Sequence, residues 1–561
     1  MCIRDRCLGL FADSLFSQAQ TKHSGQVHSG QVHSGRVLRV LPYILGFDKA
    51  LDYVLPEALA RSPAGREVEL GSVVQVSVRG RAVHGWVVEI DPEPEPDIVL
   101  QPVTKLMGVG PSAEVLDLAD WACWRWRGRR ARFYNLASPP RQVPRQVPRQ
   151  GPREVHDLAR SQSHTSSFAS TLFRLAPSSR IWPVVASALK EGSTLILFPE
   201  EGRASKLARY ARRQGFHCVL WPEQWERAAQ GGCSVVGTRS AVFAAMPEVS
   251  SILIVDEHSE AYHETWQSVT WHAREVARER ARRLDVPLRM TSPVPTLEAL
   301  KDAEVVTQSR KSEREGWAEL VIADLRERDH PGLFSHQLTE QLQGASRAVC
   351  IVKRTGVSEA RQQLARLLRE PVGKITARET EAETARVLIG TTVALRRVDR
   401  CDLVAFLEFD MLLASPHYRA EEVALALLAE ASRLVGAKSG SGRLLVQTRQ
   451  PDHPVLRSVA EANPEIFSKH DSQLRQDLLL PPFAAVAKIT GEEAEEFVKV
   501  LRSELGSVLR SSDAGDIDVM GPDQEGTWLL RSGNHETLCN FLLTISEVPE
   551  SVRISIDPPS L

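Results

Sequence analysis

An α/β multidomain fold follows from three features of the sequence: its length, a change of hydrophobic texture near residue 170, and the alternation of short apolar runs with helical stretches beyond that point. At roughly 150 residues per domain, 561 residues divide into three or four units, and a hydrophobic content of 42% is enough for several cores. The expected order is a leader (1–35), a small N-terminal β-barrel-like domain (36–137) and a linker (138–170). Two α/β lobes (171–304 and 305–455) and a small C-terminal α+β domain (456–561) complete it.

The elements read as follows. His-Ser-Gly-Gln-Val recurs at period five from His23 and Pro-Arg-Gln-Val at period four from Pro140. Neither period fits a solenoid unit and neither composition can build a core, so both segments are expected to be disordered. Short β runs at 37–43, 73–78 and 83–90, punctuated by Gly71, Gly80 and Gly85, predict a small antiparallel barrel or sheet, and a helix follows over 113–126. Apolar runs at 194–198, 235–236, 252–255 and 288–290 alternate with helical patterns at 203–213 and 274–283, as a parallel sheet requires. A second such series has strands at 320–323, 348–352, 387–389, 403–407 and 444–446. Two lobes in tandem outline a helicase motor, an architecture that other α/β enzymes share.

With 69 basic against 71 acidic residues the net charge is −2, so any nucleic-acid surface must be local. Asp13 ends the N-terminal apolar run well short of a signal sequence, and no stretch has the length of a membrane span. The eight cysteines (2, 7, 123, 218, 233, 350, 401 and 539) contain no C-x-x-C pair, which argues against a zinc ribbon or dithiol site and suggests reduced thiols in a cytoplasmic protein. Trp121 to Arg153 holds nine arginines and no acid, a local +9 that reads as a phosphate-binding signature through Arg125, Arg127, Arg129 and Arg130. Arg79 and Arg81, flanking Gly80 in a predicted hairpin turn, add phosphate contacts. Trp121 and Trp124 are expected on the core face of their helix.

A set of ordered motifs points to one family. Leu51-Asp52-Tyr53-Val54-Leu55-Pro56 and Gly237-Thr238-Arg239-Ser240-Ala241-Val242-Phe243 come first, followed by Asp256-Glu257-His258, Trp271-His272-Ala273-Arg274 and Ser292 to Glu298. Ile389-Gly390-Thr391, Ser415 to Glu422, Val446-Gln447-Thr448 and Leu480-Pro481-Pro482-Phe483 complete the series. Together they resemble the PriA replication restart family. The resemblance implies two RecA-like helicase lobes behind a domain that binds the 3′ end of a nascent strand. Asp52 would accept from the terminal 3′-hydroxyl and Tyr53 would stack on the base, with Thr238 and Arg239 also on DNA. It further implies forked DNA, the machinery that loads the replicative helicase and single-strand DNA-binding protein as partners.

The departures from the family pattern predict a lost motor. Where the family has a glycine-rich loop ending Gly-Lys-Thr, this chain reads Leu175-Ala176-Pro177-Ser178-Ser179-Arg180-Ile181, without glycine or lysine. The phosphate nest therefore cannot form by its usual geometry. Asp256-Glu257-His258 is one residue shorter than the family's acidic box, and reads better as a strand-end pair capping the next segment. Arg433 keeps one arginine of the distal motif while Gly436 stands where the charge-stabilising finger belongs. The family's zinc insert, due after Gly356, is missing. The sequence thus resembles the short actinobacterial PriA-like proteins, with vestigial nucleotide residues Asp256, Glu257 and Arg433 and neither ATP nor zinc as cofactor. Its expected role is to bind stalled or abandoned forks and assist helicase reloading. The rivals are an active 3′–5′ helicase with diverged motifs and a general single-strand binder, the latter disfavoured by an aromatic content of 6%.

Overall fold

The computed structural model describes residues 35–44, 47–94, 98–143, 168–264, 270–326, 333–353, 356–381, 384–508, 517–545 and 547–561. The histidine repeat and most of the Pro-Arg-Gln-Val repeat lie outside them. Among the described residues no helix is long and apolar enough to cross a membrane.

The N-terminal unit is a six-stranded sheet ordered Gln101–Pro102, Leu51–Leu55, Arg36–Pro42, Arg81–Ile90, Val73–Val78, Lys105–Gly108. Its central hairpin turns on two residues, Arg79 (φ 49°) and Gly80 (φ 78°), with Val78 paired to Arg81. Left-handed backbone at both positions is the turn whose twist matches that of the strands it joins. Val103 N donates to Val54 O and Thr104 N to Gln75 O, which carries the chain between the two sides of the sheet and curls it into a barrel around Leu38, Val40, Tyr53, Leu55, Val74, Val76 and Val87. The helix Ala113–Trp126 follows as predicted, capped by Ser112 and ended by Arg127 in the left-handed region, and a second helix, Arg130–Ala137, packs beside it.

Lobe 1 is a wholly parallel seven-stranded sheet, ordered Glu304–Thr307, Ser170–Arg174, Leu288–Ser292, Ser251–Ile254, Thr194–Leu197, Ser234–Gly237, Cys218–Leu220. Lobe 2 is ordered Glu319–Asp324, Arg443–Thr448, Leu403–Phe406, Ala348–Ile351, Val387–Gly390, Val372–Ile375, Thr380–Glu381, antiparallel only in the last pair. The C-terminal unit has four antiparallel strands, Ile517–Met520, Trp528–Ser532, Ala485–Thr490 and Arg553–Ile556, with helices Ala494–Val508 and His535–Thr544. The molecule is a mixed α/β multidomain protein.

Two boundaries differ from those the sequence suggested. Glu304–Thr307 pairs with Ser170–Arg174, so lobe 1 extends past residue 304. The helices Pro454–Ala460 and Glu465–Asp477 bury Val455, Leu456, Val459 and Phe467 in the core of lobe 2, so the C-terminal unit begins at its first strand, Ala485–Thr490, and not at 456. The first boundary is set by backbone pairing of an exposed edge strand and the second by apolar side chains that fill the core of lobe 2, neither of which composition can reveal. The helix Ala113–Trp126 lies in a core shared with lobe 1 and the C-terminal unit, where Trp126 is buried and Trp121 and Trp124 are partly so.

Candidate nucleic-acid interface and interlobe cleft

The strand Leu51–Leu55 alternates its side chains between the two faces of the barrel wall. Tyr53 points inward: it is 2% exposed, packs in the barrel core and donates its hydroxyl to Ser77 O at 3.2 Å. Burial pushes its phenol up to about 12. A ring so placed cannot stack on a base, which corrects the role the resemblance implied for it. Asp52, on the outer face, is gripped by Arg39 through Nε (2.7 Å) and Nη2 (3.1 Å), while Arg39 Nη1 also reaches Glu89 at 2.6 Å. Arg79 and Arg81 stand exposed at the hairpin tip, with no side-chain partner among the described residues.

The arginine run after Trp121 behaves differently from its reading as a phosphate grip. Arg125 is 7% exposed and donates to Asp557 Oδ2 at 2.8 Å, and Asp557 also meets His535 Nε2 at 2.5 Å. Burial raises the Asp557 carboxyl, but His535 and Arg125 outweigh it and hold the group well below the usual carboxylate range. Arg127 caps the helix His535–Thr544 by donating to Leu542 O and, at 2.8 Å, to Ile545 O. Arg130 donates through Nε and Nη2 to both oxygens of Asp120 (2.8 and 2.9 Å), and its main-chain N–H donates to Asp48. These three cations are spent inside the protein, tying the N-terminal helices to one another and to the C-terminal unit. Of the four arginines singled out, only Arg129 is exposed without a side-chain partner among the described residues.

Thr238 precedes the single turn Arg239–Phe243, and Arg239 donates to Glu264 Oε2 (2.5 Å) and Ala261 O (3.3 Å). The acidic box ends the strand Ser251–Ile254. Asp256, in the left-handed region (φ 54°), is clamped by Arg203 Nη1 at 2.6 Å and Arg433 Nη2 at 2.8 Å. Burial raises its carboxyl, yet the two guanidinium groups bring it below the usual range. Glu257 is wholly buried, accepting from Arg274 Nη1 (2.8 Å), Thr296 N (3.0 Å) and Thr296 Oγ1 (2.8 Å). It therefore anchors Thr296, whose own side chain caps the helix Leu297–Asp302 by accepting from Ala299 N, and does not cap the segment that follows it in the chain. His258 Nδ1 bonds Ser292 Oγ at 2.9 Å, and burial lowers its pKa to about 4.

Asp256 and its two arginines line a cleft of about 260 Å³ between the lobes, whose other walls are residues 175–179, Ile181 and residues 291–293. The loop at 175–181 has its polar groups engaged. Leu175 N donates to Ser292 O, Ala176 N and Ser179 Oγ to Gln308 Oε1, and Ser178 N and Oγ to Gly316 O. Pro177, which has no N–H, offers its carbonyl to Arg433 Nε at 3.2 Å. Donors that would face phosphates in a nucleotide site are here turned to neighbouring protein groups. Among the described residues no group of three or more His, Cys, Asp and Glu side chains is arranged to hold a metal ion.

Sequence reasoning missed what the remaining motif residues do together. Arg274, Glu298, Arg419 and Glu422 form one buried network across the lobes. Arg419 donates to Glu298 and, at 2.7 Å, to Glu422, Arg475 bridges Glu422 (2.8 Å) and Asp471 (2.8 Å), and Arg274 lies 3.7 Å from Glu298. Burial pushes the Glu298 carboxyl up, but Arg419, Arg274 and Arg475 override it and hold it at about 2. The available signal was that Arg274, Glu298, Arg419 and Glu422 sit in three separate motif fragments, which suggests a meeting point.

Residues 37–139 match the family model described as the PriA 3′DNA-binding domain (3'BD). The chain is similar to the replication restart protein PriA of Haemophilus influenzae, at 22% identity over 440 residues covering 60% of each protein. It is also similar to that of Rickettsia felis, at 19% identity over 644 residues covering 91% of this chain and 97% of the relative. The chain spans about three-fifths of the length of the former. Among solved structures it is similar to Saccharomyces cerevisiae Dbp5 bound to RNA and ADP BeF3, with a TM-score of 0.35, 11% identity, and coverage of 55% of this chain and 89% of that one.

Proposed function

We propose that this chain, which belongs to the PriA replication restart family, binds stalled or abandoned replication forks and assists reloading of the replicative helicase as a cytoplasmic scaffold, without turning over ATP. The observation that carries the DNA-binding part is the match of residues 37–139 to the PriA 3′DNA-binding domain. In this reading Asp52, hydrogen-bonded by Arg39 and still carrying spare lone pairs, accepts from the 3′-hydroxyl of the nascent strand. Arg79, Arg81 and Arg129, turned to solvent, meet phosphates.

The clamp on Asp256 supports the loss of turnover. Phosphoryl transfer needs a carboxylate free to organise Mg²⁺ and water, and a loop whose N–H groups face the phosphates. Here the carboxylate is taken by Arg203 and Arg433, and the loop lacks both glycine and lysine. Nucleotide entry would have to break both ion pairs. Zinc and ATP are accordingly not among the cofactors of this reading. Its partners are fork DNA, the helicase-loading machinery and single-strand DNA-binding protein.

The test is fork binding and fork-stimulated ATP hydrolysis measured on the same preparation. Tight binding of forks with a free 3′-hydroxyl, weaker binding of forks ending in a 3′-phosphate, and no ATP turnover are expected. Turnover that disappears on Asp256→Asn would establish a working motor instead, and equal affinity for the two fork ends would remove Asp52 from strand-end recognition.

A further inference from the structure

Tyr53, the ring that the motif singled out, lies inside the barrel, whereas Tyr43 lies outside it at the open end of an aromatic ladder. Tyr43 stacks on His84 with ring centroids 5.0 Å apart and planes inclined by 28°. Both rings meet Trp86 edge to face, at 5.8 and 5.6 Å, and Trp86 meets Tyr134 at 5.8 Å. The inner rungs are buried and pinned: Trp86 donates Nε1 to Ser138 Oγ at 2.8 Å and Tyr134 donates to Asp120 Oδ1 at 2.7 Å. Tyr43 is 36% exposed, its main-chain N–H donates to His84 O at 2.8 Å, and its ring rests on that of His84. Burial lowers the pKa of His84, which leaves the supporting ring neutral at pH 7.

Cations stand beside this platform. The Arg132 guanidinium is in electrostatic range of both Tyr43 and Glu264, and Arg239 donates to the same Glu264. Two guanidinium groups, those of Arg132 and Arg239, therefore gather around Glu264 where the barrel meets lobe 1, close to the Tyr43 ring. A partly exposed π face beside guanidinium groups is the arrangement that recognises a base and its phosphate in a strand without reading sequence.

We propose that Tyr43, backed by His84, stacks on one base of a single DNA strand that runs from the barrel to lobe 1, with Arg132 and Arg239 flanking its phosphates. This inference rests on the DNA-binding reading above and adds to it a stacking site away from Asp52. Its test is abasic scanning: single nucleobases are removed in turn along the unpaired strand of a fork, and affinity is measured by fluorescence anisotropy. For the unmutated chain and for Tyr43→Phe, one position should weaken binding by about five- to a hundredfold when its base is absent. For Tyr43→Leu the same removal should change nothing. Ultraviolet cross-linking of the unmutated chain to a fork carrying 5-iododeoxyuridine at that position should place the adduct on Tyr43. An identical scanning profile for Tyr43→Leu and the unmutated chain, or an adduct on another residue, overturns the stacking site while leaving fork binding intact. Absence of fork binding by the unmutated chain overturns both readings.

Discussion

Two arginine-bearing stretches, the hairpin tip at Arg79 and Arg81 and the helix end from Arg125 to Arg130, carry the same side chain to opposite fates. At the tip the barrel core has already closed around Val74 and Val76, and Arg79 and Arg81 stand exposed with no side-chain partner among the described residues. At the helix end, lobe 1 and the C-terminal unit close over the helix and bring Asp557 and the carbonyls of Leu542 and Ile545 to the guanidinium groups. A buried guanidinium without a partner would be costly, so burial and pairing arrive together. The lesson extends to the cleft, where Asp256 and Arg433 keep the residue types of a nucleotide site but satisfy each other. A charge-rich stretch reports a binding surface only where the fold leaves its charges unmatched.

The comparison extends first, and with the largest effect, to the buried pair of Arg274 and Glu257. Arg274→Ala would leave Glu257 wholly buried with only Thr296 as donor, and should lower stability by about 3–5 kcal/mol in urea denaturation followed by tryptophan fluorescence. A loss below 1 kcal/mol would mean that water reaches the network and that the cleft resembles the surface. Arg125→Ala should cost about 2–4 kcal/mol and speed proteolytic release of the C-terminal unit, because Asp557 would keep only His535 as a charged partner. If instead fork affinity falls while stability and proteolysis stay unchanged, Arg125 belongs with the hairpin arginines.

Acidification tests the cleft by a smaller amount. The folded-state pKa of His258, lowered by burial to about 4, lies below its unfolded value near 6.5, so between those values the unfolded chain binds the extra proton. Its contribution is complete above pH 6.5 and is lost as the pH falls towards 4, about 1–2 kcal/mol between pH 7 and 5. Asp256, held below the usual carboxylate range, stays ionised throughout that window and should add nothing to the slope. Unfolding measured at pH 7, 6 and 5 for the unmutated chain and His258→Gln should show the loss in the former and a flatter dependence in the latter.

The smallest effect on stability is expected at the hairpin. Joint replacement of Arg79 and Arg81 by alanine should move stability by less than about 0.5 kcal/mol, since neither side chain has an internal partner among the described residues. The same change should reduce the salt dependence of fork binding by about two units of slope. An unchanged slope would place the DNA path elsewhere on the barrel.

What the sequence determined by itself is local. The period of two at Val73–Val78, the tight turn at Arg79 and Gly80, the buried runs Ala348–Ile351 and Leu403–Phe406, and the apolar stripe of Ala113–Trp126 all arise from side-chain alternation or turn chemistry within a few residues, and each was legible. The short strands Cys218–Leu220 and Val372–Ile375 escaped because three or four apolar residues do not establish a period. In the candidate sites, residue types and order singled out Asp256, Glu257 and Arg433 and a loop at 175–181 without glycine or lysine. Only the tertiary structure decided what those residues touch. Arg125 finds its carboxylate 432 positions away and Arg433 finds Asp256 at a separation of 177, while the side of the barrel wall that Tyr53 faces depends on how the sheet closes. Pairing of charges depends on distance and desolvation in space, and neither is written in the spacing of residues along the chain.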